Sequence, residues 1–85
     1  MVEIEYVITD ELGIHARPAG LLVKAVKDYE SDVKVGTPAN MVDAKRIMGV
    51  MRLTLKHGDK LTMTFEGPDE ERAAKETAEF LKANL

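Results

Sequence analysis

Apolar side chains recur at every second residue near both ends of this chain, and that period limits the folds open to it. Val2, Ile4, Tyr6 and Ile8 alternate with Glu3, Glu5 and Thr9, and Leu61, Met63 and Phe65 alternate with Thr62, Thr64 and Glu66. Side chains of a strand point to opposite faces in turn, so each segment has one dry face and one wet face. A sheet of such strands is antiparallel and needs cover on one side only. Eighty-five residues give room for one sheet layer and one helix layer, and hence for a single domain spanning 1-85.

The cover comes from segments of a different period. Ala19, Leu22, Val23 and Val26 follow the i, i+3, i+4, i+7 spacing of a helix that starts after His15 and runs to about Asp28. Pro18 fits its first turn, where an amide would have had no intrahelical partner. Asp32 to Val35 reads as a short strand, and Met41-Val42 as another after the turn Thr37-Pro38-Ala39-Asn40. Ile47, Val50 and Met51 mark a short helix from about Arg46 to Leu53. After Gly67-Pro68, Asp69 is placed to cap a last helix whose stripe is Ala74, Ala78, Leu81 and Leu85, with Phe80 beside it. The order is βαββαβα, an α+β fold.

Several function classes fall away on composition. A net charge of −3 argues against nucleic acid as the main partner. Without cysteine there is neither a disulfide nor a thiolate metal site. No apolar run approaches the roughly 20 residues that cross a bilayer, and the start lacks the pattern of a signal peptide, so a cytoplasmic location is expected. Charge is unevenly spread: Lys45, Arg46, Arg52, Lys56 and Lys60 make a basic middle. Such a middle suits an acidic protein partner or a solvated helix edge equally.

The chemistry concentrates in Gly13-Ile14-His15-Ala16-Arg17-Pro18-Ala19-Gly20, which reads as a turn followed by a helix start. The first amides of a helix lack intrahelical partners and form its positive end. His15 falls at the cap, where a serine, threonine, aspartate or asparagine is usual. A positive helix end disfavours an imidazolium and favours an anionic group bonded to the ring. Imidazole nitrogen is a nucleophile able to carry a phosphoryl group, whose oxygens the amides of Ala16 and Arg17 and the Arg17 guanidinium would receive.

Gly13-Ile14-His15-Ala16-Arg17-Pro18-Ala19 closely resembles the active-site signature of the histidine-containing phosphocarrier (HPr) family of the bacterial phosphoenolpyruvate-dependent sugar phosphotransferase system. Lys45-Arg46-Ile47-Met48-Gly49-Val50-Met51 resembles that family's second signature. Length, element order and both motif positions match without gaps. The resemblance implies an open-faced two-layer sandwich, with a four-stranded antiparallel sheet in the order 1-4-2-3 and three helices on one face. It implies a phosphoryl carrier, not an enzyme, without cofactor or metal. His15 would accept phosphate on Nδ1 from enzyme I and pass it to IIA domains of sugar permeases, with Arg17 assisting. Arg46, Ile47, Met48, Met51 and Arg52 would form the docking surface; for Val50 and Ile47 partial burial is expected, for Met48 exposure. Methionines suit a surface that repacks against several partners. A shuttle of this kind is expected to be monomeric when free.

The chain also departs from its family. Many Gram-positive members carry a serine, the target of a regulatory kinase, where Arg46 stands, and Arg46 has no hydroxyl to phosphorylate. Gly20 stands where alanine is frequent and costs the helix about 1 kcal/mol unless a neighbour approaches closely. Rival functions are a regulatory binding module of the same fold, the nitrogen-branch carrier, an acid–base enzyme and a metal site. An enzyme would need an orienting carboxylate, for which Asp10 and Glu11 are at hand, and a pocket that one sheet layer does not offer. Two distant histidines, His15 and His57, make a poor metal set.

Overall fold

Seven elements follow in the expected order in the computed structural model, which describes residues 1–85: β1 (Val2–Val7), α1 (Ala16–Lys27), β2 (Asp32–Thr37), β3 (Asn40–Asp43), α2 (Ile47–Met51), β4 (Lys60–Glu66) and α3 (Glu70–Asn84). The sheet is antiparallel throughout and ordered β1-β4-β2-β3, so the last strand lies between the first two. Register puts the alternating apolar residues in rows across it. Val2, Phe65 and Val33 lie side by side, as do Ile4, Met63, Val35 and Val42. The three helices cover that face, and Leu61, Met63 and Phe65 are fully buried beneath them. Each such side chain contributes about 1.5–3 kcal/mol through burial. The other face carries Glu3, Glu5, Lys34 and Asp43 in the same register. No helix is long and apolar enough to cross a membrane.

α1 buries Ala19, Leu22, Val23 and Val26, the four residues of its stripe, and Pro18 with them. The other two helices differ from expectation. α2 is a turn and a half, shorter than Arg46 to Leu53, and Val50 alone of its residues is buried. α3 turns Ala73, Ala74, Thr77 and Leu81 inward and leaves Ala78 half-buried, so the face that packs on β1 and β4 is rotated slightly from the apolar count.

Asp69 stands at the N-cap of α3 but makes no side-chain capping bond. Its carboxylate reaches back to the α1–β2 connection instead. It accepts from the Ser31 hydroxyl, from the Glu30 amide at 2.9 Å and from the Ser31 amide at 3.0 Å. Arg72 lies 3.5 Å away and also stacks 5.2 Å over the Tyr29 ring. Glu70, the first helical residue, accepts from the Gly67 amide at 3.2 Å and so ties the turn ahead of the cap to the helix. A carboxylate serves better where it ties two distant segments and satisfies buried donors than where solvent could replace it.

Two expectations follow. A Cβ built on Gly20 meets nothing within 4 Å, so Gly20→Ala relieves the helix penalty and raises unfolding free energy by about 0.5–1 kcal/mol in denaturant titration. The Ser31 hydroxyl, then the Glu30 and Ser31 amides, hold Asp69 down at about 2 from its usual value. A carboxyl depressed in the folded state stabilises the fold above its unfolded pKa, and that stability is lost as pH falls through the folded value. Denaturation midpoints of the wild type are therefore expected to drop more steeply between about pH 4 and pH 2 than those of Asp69→Ala, which starts lower.

Candidate functional site: a cap histidine in a shallow groove

The segment that delivers the histidine is pinned from below. Gly13 has φ of +67°, and a Cβ there would stand 2.4 Å from the Leu55 carbonyl oxygen and 2.7 Å from Lys56 Cα. Only glycine fits that conformation and that gap together. The Ile14 amide then donates to the same Leu55 carbonyl at 3.0 Å, and the Ile14 side chain enters the core. Upstream, Thr54 holds φ of 52°, a left-handed conformation that costs a β-branched residue about 1–2 kcal/mol. The chain leaving α2 is thus bent to meet the turn ahead of α1.

His15 follows at the N-cap in extended backbone conformation, its carbonyl accepting from the Ala19 amide at 2.9 Å. Its ring makes no capping hydrogen bond and is half-buried. No acidic residue lies in the first turn of α1, and Arg17 there is exposed and makes no ion pair. The helix therefore presents unpartnered amides and a free guanidinium beside an imidazole.

An open groove of about 290 Å³ lies there, lined by His15 and Arg17 with Asp10, Pro18, Leu21, Ala83 and Asn84. Leu21, Ala83 and Asn84 are absent from the site as the sequence suggests it, and Asp10 figures there only as the carboxylate of a rival enzyme reading. Ala83 and Asn84 belong to the end of α3, brought in because the Leu85 carbonyl oxygen accepts from the Thr9 amide at 2.6 Å, the Thr9 hydroxyl at 2.9 Å and the Asp10 amide at 2.8 Å. Leu21 is 39% exposed on α1, outside the buried stripe. An apolar residue off the stripe is a signal the sequence does contain.

The second motif lies on α2, which packs on α1 and leaves a surface exposed. Met48 is 63% exposed, Met51 43% and Ile47 37%. Ile47 is thus more open than expected and Val50 more closed, the short helix having only one residue to spare for the core. Arg46 and Arg52 stand at the two caps of α2, with Arg46 3.7 Å from Asp43. The basic middle does not act as one surface. Lys45 donates to the Tyr29 carbonyl at 2.7 Å, and Lys60 faces Glu5 at 3.9 Å across the open sheet. His57 is exposed in the turn before β4.

A sheet covered by helices on one side, with a histidine at the cap of the first helix and an arginine in that helix's first turn, defines a class of small α+β proteins. A profile described as the PTS HPr component phosphorylation site matches residues 2–83. The phosphocarrier protein HPr of Lysinibacillus sphaericus is 40% identical over 77 residues, 91% of this chain and 88% of that protein. That of Borreliella burgdorferi is 37% identical over 83 residues, covering 98% and 96%. A crystal structure of HPr-C-His from Thermoanaerobacter tengcongensis superposes with a TM-score of 0.92 at 34% identity, covering 99% of this chain and 94% of that one. The chain belongs to the HPr family of phosphocarrier proteins of the phosphotransferase system.

Proposed function

We propose that this protein is the general phosphoryl carrier of a phosphoenolpyruvate-dependent sugar phosphotransferase system, working in the cytoplasm as a monomer when free. It takes phosphate from enzyme I on His15 Nδ1 and gives it to sugar-specific IIA domains. The observation that carries this reading is the uncapped, half-buried imidazole of His15 at the start of a helix with no acidic residue in its first turn.

The transfer is a displacement at phosphorus. The lone pair of neutral His15 Nδ1 attacks, the N–P bond forms, and the bond from phosphorus to the donor nitrogen breaks with its pair left on that nitrogen. The phosphoryl oxygens meet the Ala16 and Arg17 amides and the Arg17 guanidinium, while Pro18 has no amide to give. Arg17 supplies charge and never a proton. Handing the group on reverses these events at an acceptor imidazole. Ile47, Met48 and Met51 bury against each partner in turn, with Arg46 and Arg52 aligning an acidic rim.

Labelled phosphoenolpyruvate with enzyme I is expected to label wild type with acid-labile phosphate, to leave His15→Ala unlabelled, and to label Arg17→Ala at least about tenfold more slowly. Stable label on His15→Ala would refute the assignment. Arg46→Glu is expected to weaken association with enzyme I by about 1 kcal/mol or more at low salt, with the difference shrinking as salt rises. Unchanged affinity by calorimetry would remove Arg46 from the docking surface.

A further inference from the structure

The groove around His15 is not uniformly positive. Asp10 lines it together with His15 and Arg17. It makes no ion pair with Arg17 or with any other cation. One carboxylate oxygen accepts from the Leu12 amide at 2.8 Å, which closes the turn and fixes the group in place. Its own amide is held at 2.8 Å by the Leu85 carbonyl, so the backbone beneath it is pinned to the end of α3. That end of a 15-residue helix, with Ala83 and Asn84 in the groove wall, adds a partial negative charge on the same side. Glu11, the neighbouring acid, is exposed and takes no part in the lining.

The geometry points to Asp10 as a positioning residue that sets how tightly the carrier holds its phosphoryl group: its carboxylate repels the dianion that the α1 amides and Arg17 attract. This inference rests on His15 being the phosphoryl acceptor. A carrier has to bind its cargo strongly enough to receive it and weakly enough to release it. Cationic donors alone would make the phosphorylated form a sink. A fixed anion in the same groove raises the energy of the loaded form more than that of the free form, because two negative charges face one another only when phosphate is present. That repulsion pushes the group onward.

Asp10→Asn tests this without disturbing the turn, since the amide oxygen of asparagine can still accept from Leu12. Wild type, Asp10→Asn and Glu11→Gln are equilibrated with enzyme I at a fixed ratio of phosphoenolpyruvate to pyruvate, and the loaded fraction is read. Docking strength cannot alter that position, because enzyme I is a catalyst regenerated unchanged. Asp10→Asn is expected to raise the ratio of loaded to free protein at least about threefold at low ionic strength. The difference shrinks in about 1 M salt. Glu11→Gln is expected to stay within about twofold of wild type.

A second arm loads the proteins with phosphoramidate, which needs no partner, and follows decay of the phosphohistidine by phosphorus NMR. There Asp10→Asn is expected to decay at least about threefold more slowly than wild type. An unchanged or lowered ratio for Asp10→Asn, or an equal shift in Glu11→Gln, overturns the role given to Asp10 while leaving the carrier function standing. Wild type that takes no phosphate in either arm overturns the carrier reading, and this inference with it.

Discussion

The contact between Gly13 and the Leu55–Lys56 backbone is the constraint from which the site follows. It joins the turn before α1 to the strand-bound end of the α2 loop with no side chain between them, and the Ile14 amide adds a hydrogen bond to the same carbonyl. With the backbone held on one side and Ile14 anchored in the core, the next residue has no freedom to retreat into the helix. His15 stands at the N-cap because the chain has been fixed up to that point. The strained φ of Thr54 belongs to the same junction, a local cost repaid by the contact it makes possible.

Opposed charges share the small volume that results. The start of α1 and Arg17 supply attraction for an anion, and Asp10 with the end of α3 supplies repulsion. Helix dipoles act over about one turn, so this arrangement works only because two helix ends of opposite polarity meet at one groove. The Leu85 carbonyl, accepting three donors from Thr9 and Asp10, ties the end of α3 to the connection that leads into α1. The exposed side chains of α2, which packs on α1, form a surface that a five-residue helix cannot bury, since Val50 alone fills the available core position. In the proposed carrier, attachment to partners and handling of phosphate fall to separate residues.

Much of the fold was legible because it depends on periods. The alternation in Val2–Ile8 and Leu61–Phe65 fixed which faces were dry, and the spacing of Ala19, Leu22, Val23 and Val26 fixed the buried side of α1. Helix limits were less legible where tertiary contacts compete with local preference. Asp69 has the side chain of an N-cap, yet its carboxylate serves Glu30 and Ser31 from the far side of the chain. Similarly, α3 turns Thr77 inward where the apolar count favoured Ala78, because packing on the sheet sets its rotation. No local rule carries that information.

Layering, strand and helix order, and the imidazole and arginine at a helix start are legible along the chain, since each rests on residues a few positions apart. Which other groups share the groove follows only from how distant segments pack. Asp10, Leu21, Ala83 and Asn84 are scattered over most of the chain. They meet because hydrogen bonds to the Leu85 carbonyl tie the end of α3 to the turn that follows β1. Electrostatic force depends on distance through space, and distance along the chain does not report it.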